Sequence, residues 1–269
     1  MIDRKIGIIG CGNMGEALLA GLLNKNAFDK KNITVSEKQE ERTKFLKQKY
    51  PPITLVQNNQ SLVENSSIII LAVKPQDVET LLEEISPSLT ASHLLISIAA
   101  GIKISFIEKI VGKKIAIIRA MPNLPALIGE GMSAYSVSKN ASQKDEKIAE
   151  EIFGSTGKVL KLEEDKLDAV TALSGSGPAY VFYMLEAMAE AGIKFGLTKE
   201  QAKTLSVQTI IGAAKMIEKG DCPVDLREKV TSPKGTTEAA LKILIDTKWK
   251  EVLIQAIKKA EERSKELSK

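Results

Sequence analysis

The segment Lys5–Gly15, KIGIIGCGNMG, limits the possible folds more than any other part of the chain. Its apolar run predicts a buried strand over Lys5–Ile9, and helical periodicity follows through Leu23. Between the two lies the spacing G-x-G-x-x-G, formed by Gly10, Gly12 and Gly15. In this setting the first glycine permits a tight turn, the second lets a pyrophosphate approach the backbone, and the third lets helix and strand pack closely. The segment therefore predicts a dinucleotide-binding unit; a glycine-rich turn without a ligand is the simpler alternative.

Short apolar runs alternate with helical patterns over residues 1–162. After the first strand, further strands are predicted over Ile33–Ser36, Ile68–Val73, Leu94–Ile98, Ile115–Ile118, Met132–Val137 and Lys158–Leu162. The uninterrupted run IIILAV is typical of a strand buried on both faces. Alternation of this kind favours a parallel sheet with right-handed crossovers. Residues 1–162 are therefore predicted to form a Rossmann-like, doubly wound, mostly parallel α/β domain.

The pattern changes to helices over residues 163–269. Thr198 and Gln201 form a capping box that opens a helix ending near Gly220. Further helices are predicted over Ala179–Ile193, Asp225–Val230, Thr237–Ile245 and from Lys248 to the C-terminus. Because Ala179–Ile193 is apolar on nearly every face, it needs partners on every face. We therefore expect an all-helical C-terminal domain through which two copies of the chain associate.

Composition excludes several classes of site. The two cysteines, Cys11 and Cys222, and one histidine, His93, cannot supply an ordinary four-ligand zinc site or a disulfide framework. No apolar run is long enough to cross a membrane, and a net charge of +4 with both signs interspersed gives no nucleic-acid surface. We expect a soluble cytoplasmic protein. Cys11 is expected to be a packing residue rather than a redox group, and His93 a surface or edge residue.

The end of the second predicted strand gives conflicting signals about the cofactor. Glu37 lies about 20 residues beyond the glycines, where an acidic side chain binds the ribose hydroxyls of NAD. Ser36, Lys38 and Arg42 could instead hold the additional phosphate of NADP. We expect both cofactors to be used, with NADPH preferred; solvated charges at a helix start remain the alternative.

Four further segments narrow the chemistry: AVKPQ at 72–76, RAMPNLP at 119–125, GSGPAY at 175–180 and VTSPKGTT at 230–237. Together with GCGNMG, in this order and at these intervals, they make the chain resemble the pyrroline-5-carboxylate reductase family over nearly its whole length. The resemblance implies cofactor contacts from Gly10, Cys11, Gly12, Asn13, Met14, Gly15, Ser36, Asn59, Ala72, Val73, Lys74, Pro75, Ala99, Ala100, Met121, Pro122 and Asn123. Of these, Ala99, Ala100 and Met121–Asn123 would lie near the nicotinamide. The alternatives to these cofactor contacts are that Lys74 is an exposed loop residue and that residues 121–125 form a plain turn.

The segment 230–237 is rich in hydroxyls and leads directly into a predicted helix. Hydroxyls and free N–H groups at a helix start can hold a carboxylate without a buried cation. We expect the substrate to contact Val230, Thr231, Ser232, Gly235, Thr236 and Thr237; helix capping by Thr236 alone is the alternative. The family usually has glycine where this chain has Lys234, so the position is expected not to demand a glycine-only backbone. Lys234 either attracts the carboxylate or points to solvent.

The resemblance implies reduction of 1-pyrroline-5-carboxylate to L-proline, the last step of proline biosynthesis, by hydride transfer. Such a reaction asks for positioning more than for a general base, and Thr237 could orient the ring nitrogen as the catalytic group. The main enzymatic alternative is a short hydroxyacid dehydrogenase, which needs a positioned base, yet no ionisable residue other than Tyr180 and Tyr183 lies between 179 and 185. A cofactor-binding protein without catalysis is the third possibility. The resemblance also implies a larger ring of the dimers expected above, and the composition leads us to expect no bound metal.

Overall fold

The computed structural model describes residues 4–24, 29–51 and 53–268. These residues form two compact units. The first contains the described residues up to Ser176 and those from Ala260 onward; the second runs from Gly177 to Lys259. The units therefore divide later than the change of sequence pattern at 162/163, because the first helical segment after the sheet packs with the sheet. The last turns of the chain also belong to the first unit.

Eight strands form one sheet within the described residues, in the order β3-β2-β1-β4-β5-β6-β7-β8. The strands are β1 Ile6–Ile9, β2 Ile33–Ser36, β3 Thr54–Val56, β4 Ile68–Leu71, β5 Leu94–Ser97, β6 Ala116–Met121, β7 Gly131–Val137 and β8 Gly157–Lys161. All neighbouring strands are parallel except β6 and β7. The predicted doubly wound, mostly parallel sheet is confirmed. Sequence reasoning missed β3, a three-residue edge strand too short to show a pattern.

Helices cover both faces of this sheet. They are α1 Asn13–Asn24, α2 Glu40–Lys49, α3 Asn59–Glu64, α4 Val78–Ile85, α5 Ile104–Val111, α6 Gln143–Gly154 and α7 Leu167–Val170, which continues as a π-helical turn over Thr171–Gly175. Alternate residues of β4 face opposite cores: Ile68 and Ile70 pack in one, Ile69 and Leu71 in the other. Because both faces are covered, the uninterrupted apolar run of this strand is explained.

The remaining helices are α8 Gly177–Lys194, α9 Lys199–Glu218, α10 Pro223–Lys229, α11 Thr236–Asp246 and α12 Trp249–Leu267. The capping box of Thr198 and Gln201 is present, as the sequence indicates. In the single chain, α8, α10 and α11 have no buried residue, and large apolar side chains such as Tyr183 and Phe195 are mostly exposed. This helical unit therefore has little core of its own. No helix in the described part of the chain is both long and apolar enough to cross a membrane.

His93 differs from its expected place at the surface. It is buried, its Nδ1 lies 2.9 Å from the backbone nitrogen of Thr90, and its Nε2 lies 3.2 Å from the carbonyl oxygen of Val63. These bonds join the turn before β5 to the end of α3. The imidazole is thus a structural connector, which its polar neighbours in sequence did not indicate.

Candidate functional site

The glycine loop between β1 and α1 has the geometry that its spacing predicts. Gly10 has a φ of +83°, and a Cβ there would lie 2.8 Å from the side chain of Val73. A Cβ on Gly15 would lie 2.5 Å from the carbonyl oxygen of Gly10. A Cβ on Gly12 would meet no atom within 4 Å. Gly10 and Gly15 are thus required by packing, whereas Gly12 leaves an open space at the start of α1, where unpaired N–H groups attract phosphates.

This open space belongs to a cleft of about 460 Å³ within the first unit. The cleft lies at the edge where β1, β2 and β4 end, the usual ligand position in a doubly wound sheet. Its lining residues include Gly10, Gly12, Ser36, Glu37, Lys38, Gln39, Arg42, Asn59, Ala72, Val73, Lys74, Gln76 and Asp77. Seven of the predicted cofactor residues are therefore brought together here.

The other predicted cofactor residues surround this edge. Asn13 and Met14 form the first turn of α1, and Pro75 follows Lys74 as exposed residues of the loop after β4. Ala99 and Ala100 follow β5, and Met121 ends β6. Because β1, β4, β5 and β6 are parallel, these segments lie at the same edge of the sheet.

Asn123, also predicted at this edge, has its side chain committed to other contacts. Its Nδ2 donates to the carbonyl oxygen of Ser174 at 3.2 Å, and its Oδ1 accepts from the backbone nitrogen of Met132 at 2.9 Å. A Cβ on Gly175 would lie 2.6 Å from Met121 Cε, so the two loops pack closely. The asparagine therefore fixes the 121–123 loop against Ser174 and Gly175. Pro122 beside it is buried.

Glu37 and Ser36 are held firmly at the end of β2. The Glu37 carboxylate accepts from the backbone nitrogens of Cys11 at 2.8 Å and Gln39 at 2.9 Å. The Ser36 hydroxyl donates to Asn59 Oδ1 at 2.6 Å, and Asn59 Nδ2 donates to Glu84 at 3.0 Å. The glycine loop and the start of α2 are thus joined through one acidic side chain.

A buried carboxylate beneath the glycine loop was not found by sequence reasoning. Glu16, in the first turn of α1, accepts from Arg42, from Lys49 at 2.8 Å and from Tyr50 at 2.9 Å. Burial alone would raise the pKa of the Glu16 carboxyl, but the hydrogen bonds from Lys49, Tyr50 and Arg42 outweigh it and hold the pKa below its usual value. An acidic residue directly after the third glycine, at the start of an otherwise apolar helix, was the available signal.

Arg42 is therefore occupied by contacts within the protein. Its Nε donates to the carbonyl oxygen of Cys11 at 2.7 Å, and its Nη2 pairs with Glu16. Lys38, by contrast, is exposed at the cleft and forms no ion pair within the described residues. Of the cations proposed for an additional phosphate, Lys38 is the one left available.

Cys11 is fully buried, and burial raises the pKa of its thiol to about 12. The positive charge of Arg42 lowers this pKa and the negative charge of Glu37 raises it, both by less than burial does. A thiol that stays protonated is a poor nucleophile and a poor target for oxidation. The residue is a packing residue beneath the glycine loop, and its backbone nitrogen and carbonyl oxygen are bonded to Glu37 and Arg42.

The hydroxyl-rich loop before α11 lies in the second unit and is mostly exposed in the single chain, Val230 included. Thr231 Oγ1 donates to the carbonyl oxygen of Arg227 at 2.6 Å, so this hydroxyl is already used. The N-cap of α11 is Gly235, and no side chain caps it; Thr236 is the first helical residue. Capping by Thr236 is therefore wrong. Within the described part of the chain, the hydroxyls of Ser232, Thr236 and Thr237 make no hydrogen bond, so they are available to a ligand.

Lys234 has a φ of +61°, in the left-handed region that favours glycine. The turn requires a left-handed residue and the lysine adopts it, so the position favours glycine without demanding it. Its backbone nitrogen donates to Glu238 at 2.7 Å, which closes the turn onto α11. The side chain is exposed, in a shallow depression that also includes Thr231 and Gly235.

Comparison with known proteins decides the family. The chain is 40% identical over 270 residues to the pyrroline-5-carboxylate reductase of Methanosarcina acetivorans, with 100% of both chains covered. The chain belongs to the pyrroline-5-carboxylate reductase family. Pyrroline-5-carboxylate reductase 1 of Bacillus subtilis is 37% identical, covering 99% of this chain and 90% of that one.

Solved structures of pyrroline-5-carboxylate reductases support the same family assignment. The NADP-bound Plasmodium falciparum enzyme superposes with a TM-score of 0.92 at 36% identity, and the Coxiella burnetii enzyme with 0.90 at 38%; each comparison covers 100% of both chains. A family model described as pyrroline-5-carboxylate reductase dimerisation matches residues 164–267, and one described as NADP oxidoreductase, coenzyme F420-dependent, matches residues 5–101. The predicted order, an α/β domain followed by a helical dimerisation region, is confirmed.

Proposed function

We propose that this protein reduces 1-pyrroline-5-carboxylate to L-proline with NADPH or NADH, as the last step of proline biosynthesis in the cytoplasm. The observation that carries the proposal is the open space at Gly12, at the start of α1, in a chain that matches pyrroline-5-carboxylate reductases over its full length. No group of three or more metal-ligating side chains occurs among the described residues.

The residues at the cleft fit a nicotinamide dinucleotide. The first turn of α1 presents free N–H groups where Gly12 leaves space for a pyrophosphate, and a side chain there would fill that space. Glu37 and Ser36 fix the end of β2 beside it, where an adenosine ribose binds in folds of this kind. Bound in the cleft, the reduced nicotinamide supplies the hydride that the reaction needs.

NADPH is the proposed preferred cofactor. Arg42 is paired with Glu16, and Glu37 is held by two backbone nitrogens, so neither is free to reorient without breaking those bonds. Lys38 is exposed at the same edge of the cleft and carries no partner charge among the described residues. An additional ribose phosphate would gain a charge-assisted hydrogen bond from it.

The substrate carboxylate is proposed to bind the loop Val230–Thr237. A carboxylate leaving water needs donors to replace its hydration, and the hydroxyls of Ser232, Thr236 and Thr237 together with the uncapped start of α11 supply them. Thr237 is proposed as the catalytic group, because a hydroxyl beside the ring nitrogen can orient the protonated imine for hydride attack. No general base is required, since the imine nitrogen already carries the proton.

The second unit is proposed to complete its core with a second copy of the chain. In the single chain its apolar side chains are exposed, and its sequence matches the dimerisation model of the family. A homodimer, assembled further into a ring of dimers, would bury these faces. Sedimentation at low micromolar concentration would show a species of at least twice the chain mass; a stable monomer would contradict the proposal.

The test is a cofactor-oxidation assay. The purified protein should oxidise NADPH or NADH only when pyrroline-5-carboxylate is added, with proline formed in equal amount. A hydroxyacid with the oxidised cofactor should give no turnover. A folded, cofactor-binding sample that leaves pyrroline-5-carboxylate unchanged would refute the assignment.

A further inference from the structure

The last turn of α12, which belongs to the first unit, contacts the segment that follows the sheet through polar side chains. Within the described residues of this helix only Ser264 is buried. Its hydroxyl donates to Asp168 Oδ1 at 2.6 Å, and the hydroxyl of Ser268 lies 3.1 Å from the same oxygen. We call Asp168, Ser264 and Ser268 the C-terminal anchor. It fixes the end of the chain to the segment that follows the sheet.

The anchor belongs to a buried charge network centred on Arg119 of β6. This arginine is 3% exposed; its Nη1 lies 3.1 Å from Glu164 Oε1 and its Nη2 4.0 Å from Asp168 Oδ1. At 4.0 Å the arginine neutralises Asp168 without giving it a normal hydrogen bond. The Ser264 hydroxyl supplies a hydrogen bond that a buried carboxylate needs, and the single proton of the Ser268 hydroxyl is shared between Asp168 and the carbonyl oxygen of Ser264, which lies 2.9 Å away. Loss of a hydroxyl therefore leaves Asp168 poorly satisfied and weakens the hold on the helix end.

The same network holds the segment that follows β5. A Cβ on Gly101 would lie 2.9 Å from the carbonyl oxygen of Leu267, and Gly101 has a φ of +75°, so the loop backbone passes directly against the last turn of α12. A few residues later, the backbone nitrogen of Ile104 donates to Glu164 Oε1 at 2.7 Å. Residues 101–104 are thus fixed at one end by the C-terminal turn and at the other by the partner of Arg119.

We propose that the C-terminal anchor positions the Ala99–Gly101 loop, and through it the reacting end of the cofactor; the inference rests on the proposed function. Ala99 and Ala100 offer only backbone and methyl groups, so their contribution to hydride transfer is their position. Transfer depends steeply on the distance and angle between donor and acceptor. Asp168, Ser264 and Ser268 act on the reaction as positioning residues, through the backbone of Gly101.

The test compares hydroxyl removal with matched controls. Ser264→Ala deletes the buried hydroxyl, and Ser268→Ala deletes the less buried one. If Ser264→Ala does not fold, Ser268→Ala alone carries the test. Ser268→Thr retains a hydroxyl. Arg263→Ala changes an exposed residue of the same turn, whose ion pair with Glu266 lies at the surface. Each variant is examined as the full chain.

Two readouts separate positioning from a purely structural role. The first is the single-turnover rate of hydride transfer from NADPH to pyrroline-5-carboxylate. The second readout needs no turnover. It compares the dissociation constant of NADPH with that of 2′-phospho-ADP-ribose, a fragment of the cofactor without the nicotinamide. The fluorescence of bound NADPH is recorded in the same samples. The second readout stands even where the wild-type protein does not reduce pyrroline-5-carboxylate, so failure of the proposed function is distinguishable from failure of this inference.

We expect Ser264→Ala to slow hydride transfer roughly tenfold and Ser268→Ala by a smaller factor, since small displacements of reacting atoms have effects of this order. The fluorescence of bound NADPH should change, while the fragment binds within twofold of wild type. Ser268→Thr and Arg263→Ala should behave as wild type. Equal loss of affinity for NADPH and for the fragment, or wild-type transfer and fluorescence in both alanine variants, would overturn the inference.

Discussion

Gly12→Val separates the binding role of the glycine loop from its structural role. The position is exposed, and an added Cβ meets nothing within 4 Å, so the valine fits without displacing the protein. Gly12 directly precedes α1, and valine is a poorer residue than glycine at a helix start. We expect a cost of about 1 kcal/mol, or a fall in Tm of roughly 2–4 °C for a protein of this size.

The effect on cofactor binding should be much larger. The valine occupies the space through which a pyrophosphate reaches the N–H groups of α1. Hydrogen bonds to a charged group contribute about 1.5–3 kcal/mol each, so losing two weakens binding by about 3–6 kcal/mol. At 1.4 kcal/mol per decade this is at least a hundredfold in Kd. Isothermal titration with NADPH measures it, and circular dichroism checks the fold.

Gly15→Ala is the matched comparison. Its Cβ would lie 2.5 Å from the Gly10 carbonyl oxygen, so even one methyl group must push α1 away from β1. We expect this smaller substitution to lower Tm more than Gly12→Val does. Unchanged NADPH affinity in Gly12→Val would show that the phosphate site lies elsewhere. A greater loss of stability in that variant than in Gly15→Ala would contradict the packing roles given to the two glycines.

Four further substitutions test the site. Lys38→Gln should reduce the preference in kcat/KM for NADPH over NADH by about tenfold, whereas Arg42→Gln should lower Tm through the loss of a partner for buried Glu16 and leave the preference unchanged; the opposite pattern would reverse the two roles. Thr237→Val should lower kcat/KM for the imine by roughly 10- to 100-fold with cofactor Kd unaltered, and wild-type kinetics would remove this hydroxyl from the mechanism. Lys234→Gly should leave Tm unchanged or raise it, since relief of a left-handed residue, about 1–2 kcal/mol, exceeds or balances the entropy cost of glycine, about 0.5–1 kcal/mol; a clear fall in Tm would show that the lysine side chain stabilises the loop.

Elements with a strong local pattern were predictable from the sequence. The buried strands β1, β2, β4 and β5 are short runs rich in large apolar residues, and the glycine spacing predicted a helix at the loop, where α1 begins. The helix beginning after Thr198 followed from its capping box. These features depend on residues close together in the chain, which is why they can be predicted from the sequence.

What the sequence did not show depends on contacts between distant residues. Glu16 pairs with residues 26 to 34 positions away, and Asp168 bonds to a serine 96 positions away. Nothing near His93 indicated that its ring would be buried between Thr90 and Val63. The end of the first compact unit was also hidden, because helices that pack on a sheet and helices that form a separate unit share the same periodicity.

The location of the candidate site was easier to predict from the sequence than the roles of its residues. Parallel strands place their loops at one edge, so the cleft followed from the order of motifs. The order of motifs did not show which cation is free to bind a phosphate. Arg42 and Lys38 look equivalent in sequence, and only the ion pair of Arg42 with Glu16 distinguishes them. Likewise Asn123 reads as a binding residue, yet its amide joins two loops.

Hydride transfer itself is the most direct measurement of the central claim. The protein is incubated with pyrroline-5-carboxylate and NADPH that carries deuterium on the transferable position of the nicotinamide, and the product is examined by mass spectrometry and NMR. The account predicts L-proline one mass unit heavier, with the deuterium on the ring carbon bonded to nitrogen that does not bear the carboxyl group. Proline without deuterium, or oxidation of the cofactor with no proline formed, would contradict it.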